Sequence, residues 1–191
     1  MAGLAESIRE QGLAATQISD IVRHARASRA TFYRCFEDKD ACFAALAEEK
    51  LESTLTHVAR AIDLEAPAER QVDQMIESFL EVLEEDRAVS VTLSGDLQML
   101  GARGAQIRNE SIEKYAQFVL VLVHNPNVAA EMGPLSHMTL EKSIMLICGI
   151  VGLLDRAAAR DEDVRLLAPE IKAVVKRVLA PTAAGTPPPR E

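Results

Sequence analysis

Between Asp38 and Leu64 the apolar residues Phe43, Leu46, Leu51, Leu55, Val58 and Ile62 recur at three- and four-residue steps. That is the period of one face of an α-helix, and it excludes the two-residue alternation of a half-buried strand. The same period returns in Val72, Met75, Ile76, Phe79, Val82 and Leu83, then in Ile107, Tyr115, Phe118, Val119 and Leu122. It returns again in Leu167, Ile171, Val174, Val175 and Val178. Lys50 is the exception on the first stripe and belongs at its margin. Four of the eight prolines lie in the closing stretch "PTAAGTPPPRE", so little interrupts helix before it. The spacing predicts an all-α chain with a disordered tail over 181–191.

The helices predicted from pattern and punctuation are these. A short one spans about Leu4 to Gln11 and ends at Gly12. A second runs from Gln17 to His24, capped by Thr16. A third runs from a Ser28 cap to Cys35 with Phe32 inside, and a fourth from an Asp38 cap to Leu64. Ala68 to Glu85, Ala88 to Leu100, Gln106 to Val123, Leu140 to Ala159 and Asp163 to Leu179 follow. "GARGA" (101–105) and "HNPN" (124–127) act as breaks, and the stretch up to Pro134 reads as irregular loop.

Net charge is −8, which by itself gives no sign of nucleic-acid binding. The balance is local, however. Between Ile21 and Phe36 stand Arg23, Arg26, Arg29, Arg34 and His24, with no acid among them. A phosphate backbone feels that face, not the average. Cys35, Cys42 and Cys148 make an odd set without framework spacing, which fits a reducing compartment. The first residues lack the basic and apolar regions of a secretion signal, so a cytoplasmic location is expected. The apolar run Ile144 to Leu154 is too short to span a bilayer.

The second and third helices, joined by about three residues, have helix-turn-helix spacing. In that motif the start of the second member enters the major groove. Here it offers Ser28, Arg29, Ala30 and Thr31. Thr31 suits a base edge or a thymine methyl, and Arg29 suits guanine or phosphate. Tyr33 and Lys39 suit backbone contacts, Thr16 sits where helix N–H groups favour a phosphate, and Arg26 in the turn fits the same task.

The stretch "GLAATQISDIVRHARASRATFYRCFEDKDACFAAL" resembles the N-terminal DNA-binding domain of the tetracycline-repressor (TetR) family of transcriptional regulators. The features that carry the likeness are Gly12, Ala15-Thr16, Ile21-Val22, Ala25 and "TFYRCFEDKDACF". The resemblance implies that Thr16, Tyr33 and Lys39 take phosphate-contacting positions and that Ser28, Arg29 and Thr31 take recognition-helix positions. It also implies a three-helix DNA-binding domain over 1–45 and a helical effector-binding and dimerisation domain over 46–180. Arg26 departs from the pattern by replacing a turn glycine, so the turn must avoid positive φ or accept strain. Ala27 departs by replacing a larger apolar residue.

In Ile144 to Leu154 apolar groups point in every direction, where a surface helix shows one stripe. Such a helix is either central in one chain or shared with a second copy. The resemblance implies the latter, as a four-helix bundle built from the last two helices of each chain. The interface residues expected are Ile144, Ile147, Val151, Leu154, Ile171, Val174 and Val178. Met75, Phe79, Met99, Tyr115, Phe118 and Met145 read as core by composition. The resemblance implies a small-molecule effector among them, with Gln98, Arg103, Asn109 and His137 as polar candidates. The function expected is a ligand-responsive regulator, a repressor that binds a palindromic double-stranded DNA operator as a homodimer and is released by its effector. The alternative is a helical dimeric interaction or scaffolding protein without DNA binding. His24, His57, His124 and His137 are scattered, and no nucleophile, metal or phosphate-loop motif appears. Neither enzyme activity, nor a cofactor, nor a metal, nor a membrane is therefore expected.

Overall fold

The structure is a computed structural model that describes residues 1–132 and 138–179. His137 and the tail over 181–191 lie outside the described residues. Within them the chain forms α-helices and short 3-10 turns, and no strand.

The helices are α1 (Ala2–Ala15), α2 (Ile18–His24), α3 (Arg29–Cys35), α4 (Lys39–Ala61), α5 (Ala68–Glu85) and α6 (Arg87–Asp96). After a 3-10 turn over Leu97–Leu100 come α7 (Ala102–Val123), α8 (Pro126–Met132) and α9 (Leu140–Ala159). A second 3-10 turn over Val164–Leu167 leads into α10 (Ala168–Leu179).

Local chemistry sets most boundaries. Ser28 and Asp38 cap α3 and α4, accepting from the backbone N–H groups of Thr31 and Ala41. Thr139 does the same for α9 through Lys142. Thr16 does not cap α2. Gln17 takes that place in a reciprocal box with Asp20, whose carboxylate accepts from the Gln17 N–H at 2.9 Å. Gly12 breaks α1 at φ 77, as expected, although helical turns resume as far as Ala15.

Two loop expectations are corrected. Only Gly101, at φ 56, interrupts the chain within "GARGA", and α7 starts directly behind it. Pro126–Met132 is helical, with proline in the first turn, where its missing N–H costs nothing. Glu131 then closes the start of α5 by accepting from the Ala68 N–H at 2.8 Å.

Two apolar clusters hold the fold. The larger joins α5, α7, α8, α9, the second 3-10 turn and α10 around Ile76, Leu80, Val119, Leu154, Ile171 and Val175. The other lies under the first three helices and contains Leu4, Ile8, Ile21, Phe32, Phe43 and Leu46. It is completed from far along the chain by Val89 of α6, Leu97 and Ile107 of α7. The three short helices therefore rest on α6 and α7 as well as on α4.

Gly3 lets α1 lie directly on α2. A Cβ there would stand 2.4 Å from the Ile21 carbonyl oxygen and 2.9 Å from the Ala25 Cβ. Backbone on both sides leaves no room to yield. Gly3→Ala is expected to destabilise the chain by about 1–3 kcal/mol, read as a lower midpoint in urea at an unchanged slope.

Candidate DNA-reading head and effector cavity

The helices α1–α3 and the start of α4 form a small head. Within it α2 ends at Ala25, and the turn to α3 passes through Arg26 at φ 49. The arginine has accepted the left-handed conformation that glycine occupies at no cost. The N–H of Ala27 donates to Val22 O at 2.9 Å and closes the turn. Ser28 Oγ lies 2.9 Å from Thr31 Oγ1, so the two hydroxyls satisfy each other at the start of α3.

Behind α3, Phe32 is buried and meets Phe36 and the edge of Tyr33, each with ring centroids 5.5 Å apart. Tyr33 is 57% exposed and lies one turn from exposed Arg29, so both side chains share the outer face. The basic stretch divides into two parts. Arg23 and His24 are held by Glu10, at 3.4 and 3.0 Å, with Asp20 at 3.7 Å from Arg23. Arg26, Arg29 and Arg34 are exposed and have no ion-pair partner among the described residues.

Two candidate contact residues are placed differently from the expectation. Thr16 is 2% exposed, and its hydroxyl donates to Gly12 O at 2.7 Å. Its side chain is turned inward at the bend, onto the chain itself. Lys39 is half-buried and donates to Leu13 O and Thr16 O, each at 3.0 Å. It ties the start of α4 to the bend before α2. Ser28, Arg29, Arg26 and Tyr33 remain on the open surface, with Thr31 half-exposed.

A cavity of about 170 Å³ lies between α4, α5, α6, α7 and α9. An apolar chamber of about 80 Å³ adjoins it, and the two share Phe79, Tyr115 and Val151. Met75, Phe79, Tyr115 and Phe118 line the chamber. The rings of Phe79 and Tyr115 meet edge to face, with centroids 5.6 Å apart. Burial pushes the Tyr115 phenol up, so it stays neutral at physiological pH.

Met99 and Met145 do not contribute. They are 76% and 73% exposed, Met99 on the 3-10 turn before Gly101 and Met145 on the outer side of α9. Gln98 and Asn109 are also at the surface, and Arg103 is paired with Glu48. Among the interface expectations, Leu154 and Ile171 are buried in the chain's own core, because they face α5 and α7. Ile147 and Val151 face the cavity system, and Ile144 is half-buried. Val174 and Val178 are exposed, with Met145, Cys148, Gly149 and Gly152 on the outer face of α9.

Sequence reasoning missed the polar wall of the larger cavity. Lys50 of α4 and Asp86, the single residue between α5 and α6, line it and pair at 2.6 Å. Arg108 of α7 and Asp155 of α9 line it too and pair at 2.9 Å. Thr54, Ser90 and Ser94 add hydroxyls. The one available signal was Lys50, a charge interrupting an apolar stripe.

Asp86 also accepts from Arg9 of α1, with Nε on Oδ1 and Nη2 on Oδ2, both at 2.9 Å. Burial alone would raise its pKa, but hydrogen bonds from Arg9 and Lys50 outweigh that and hold it below the usual carboxylate value. The ionised carboxylate thus contributes stability above the unfolded-state pKa, and that contribution is lost as pH falls through the lower folded value. In an acid titration monitored by helical circular dichroism, Asp86→Asn is expected to flatten the stability profile over this window.

Residues 1–46 match the model of the bacterial regulatory proteins, tetR family. No curated protein matches the chain in sequence. Among solved structures the chain is similar to the transcriptional regulator FadR from Bacillus subtilis in complex with stearoyl-CoA. The TM-score is 0.74 at 17% identity, covering 92% of this chain and 95% of that one. It is similar also to the fatty acid degradation regulator FadR from Bacillus halodurans, with a TM-score of 0.75 at 15% identity over 97% and 93%. A third is the TetR family regulator PfmR from Thermus thermophilus, with a TM-score of 0.60 at 15% identity over 94% and 98%.

Proposed function

We propose that this chain, a tetR-family protein by its first 46 residues, is a ligand-responsive transcriptional repressor that grips a palindromic operator as a homodimer. The observation that carries this reading is the head: three exposed arginines, without ion-pair partners among the described residues, around a Ser28-capped helix on a chain that is acidic overall. That helix lies on the protein's outer surface, where it is free to enter a major groove.

One head reaches few phosphates. Two, held about 34–36 Å apart, span successive turns of a duplex. The exposed face of α9 and α10 suits that pairing. Gly149 and Gly152 leave the α9 backbone open to close approach, and Met145, Val174 and Val178 supply apolar surface. This assignment replaces Leu154 and Ile171, which are used within the chain.

The cavity suits an amphiphile. The outer part carries two ion pairs and hydroxyls, and the inner chamber is almost wholly apolar. A single acyl chain with an anionic head matches that division. The stearoyl-CoA held by the Bacillus subtilis protein supports the same class. Binding that favours another separation of the two heads lowers operator affinity by the difference in ligand affinity between the two states.

Titration of duplexes tiled from the DNA upstream of its gene, over a salt series, tests the reading. Affinity is expected to fall with salt at a slope near −0.9 per neutralised phosphate. Arg29→Ala is expected to cost about 1–3 kcal/mol of duplex binding. If Arg29 reads a base, that variant relaxes sequence preference; if it grips phosphate, the salt slope drops by about one unit. A helical scaffold without DNA binding would show neither effect. Arg26→Gly is expected to relieve the left-handed strain at φ 49 and gain up to about 1 kcal/mol in urea denaturation, the αL penalty less the entropy glycine adds to the unfolded chain, while weakening duplex binding.

A further inference from the structure

Among the described residues, Asp86 is the carboxylate that ties the cavity wall to the head. Its two oxygens take a forked contact from Arg9, on the head helix α1. The same group holds Lys50 of α4, and both Asp86 and Lys50 stand in the cavity wall. The Arg108–Asp155 pair lines the same cavity but joins α7 to α9, both in the body. Of these two ion pairs, Lys50–Asp86 is the one wired to the head.

We propose that Lys50–Asp86 is an anion-exchange point through which cavity occupation governs the DNA-reading head. This rests on the reading of the chain as a ligand-responsive regulator and assigns the residues that carry the response. The acid group of an amphiphile entering the cavity competes with Asp86 for Lys50. An ammonium that turns part of its donor set to the incoming acid holds Asp86 less strongly, which leaves that carboxylate held chiefly by the forked Arg9 contact. Asp86 is the hinge between α5 and α6, so its movement is a movement of the start of α6. The head core rests on that helix through Val89. Exchange at Lys50 therefore shifts α1 and its neighbours relative to α4, which carries Lys50.

Arg9 is the position to change, since it lies outside both the cavity lining and the outer face of α3. The experiment compares wild type, Arg9→Gln and Asp86→Asn in two arms. In the first, affinity for the best upstream duplex is measured with and without stearoyl-CoA, whose binding is followed separately by thermal shift. Wild type is expected to lose about tenfold in affinity with the ligand, within the usual range for coupled sites. Arg9→Gln, outside the cavity, is expected to bind the ligand as wild type does, and Asp86→Asn, which removes the competitor for Lys50, to bind it more tightly. Both are expected to change duplex affinity less than about threefold on ligand addition, below that range. A wild-type-sized response in both variants overturns the proposal and leaves the regulator reading standing.

The second arm uses ligand-free protein and amide hydrogen exchange. Amides of α1 and of the α4 turn around Lys50 are expected to exchange several-fold faster in both variants than in wild type. Exchange identical to wild type in both variants overturns the proposal whatever the ligand. If wild type neither binds nor answers stearoyl-CoA, the acyl-effector reading fails, and the exchange arm alone decides whether Asp86 holds the head.

Discussion

The head cannot close its own core. Leu4, Ile8, Ile21 and Phe32 come from helices too short to bury one another, and Phe43 and Leu46 at the base of α4 cover only part of them. Val89, Leu97 and Ile107 complete the cluster from segments far along the chain. A unit built in this way shares its core with α6, the 3-10 turn and α7. Its orientation is then a property of the body, and a cavity whose walls include α4, α6 and α7 sits where it can alter that orientation.

The electrostatics follow the same division. The outer surface of the head keeps Arg26, Arg29 and Arg34 open, while Arg23 and His24 are held by Glu10. Other cations near the head are engaged: Lys39 binds two carbonyls, and Arg9 and Lys50 share Asp86. The turn and α3 thus keep three open arginines close together, at the end of the chain where no acid stands between Ile21 and Phe36. A protein that is acidic overall can present a local basic surface where its cations cluster without neighbouring acids.

Much of this was legible in the sequence because the determinants are local. Ser28 and Asp38 are capping residues followed by apolar periodicity, and the structure places caps at both. The bounds expected for α5 and α9 are those observed. The strain expected at Arg26 appears as a positive φ. What was not legible depends on partners distant in sequence. Asp86 reads as one acid among many until Arg9, 77 positions away, is folded against it. Leu154 and Val174 are both apolar residues of the last two long helices, yet one is buried and the other faces outward, because packing and not residue type sorts them. Thr16 reads as a cap and lies one residue before it, since the bend at Gly12 turns its hydroxyl back onto the chain.

The dependence of the head on the body is the claim on which the regulatory account stands. Its most direct test is the thermal melt, by circular dichroism, of a fragment that ends at Ile62 and so keeps α1 to α4 intact. The account predicts a broad, non-cooperative loss of helix, with α1–α3 unprotected, because Val89, Leu97 and Ile107 are missing. A sharp, cooperative transition near that of the full chain would contradict it.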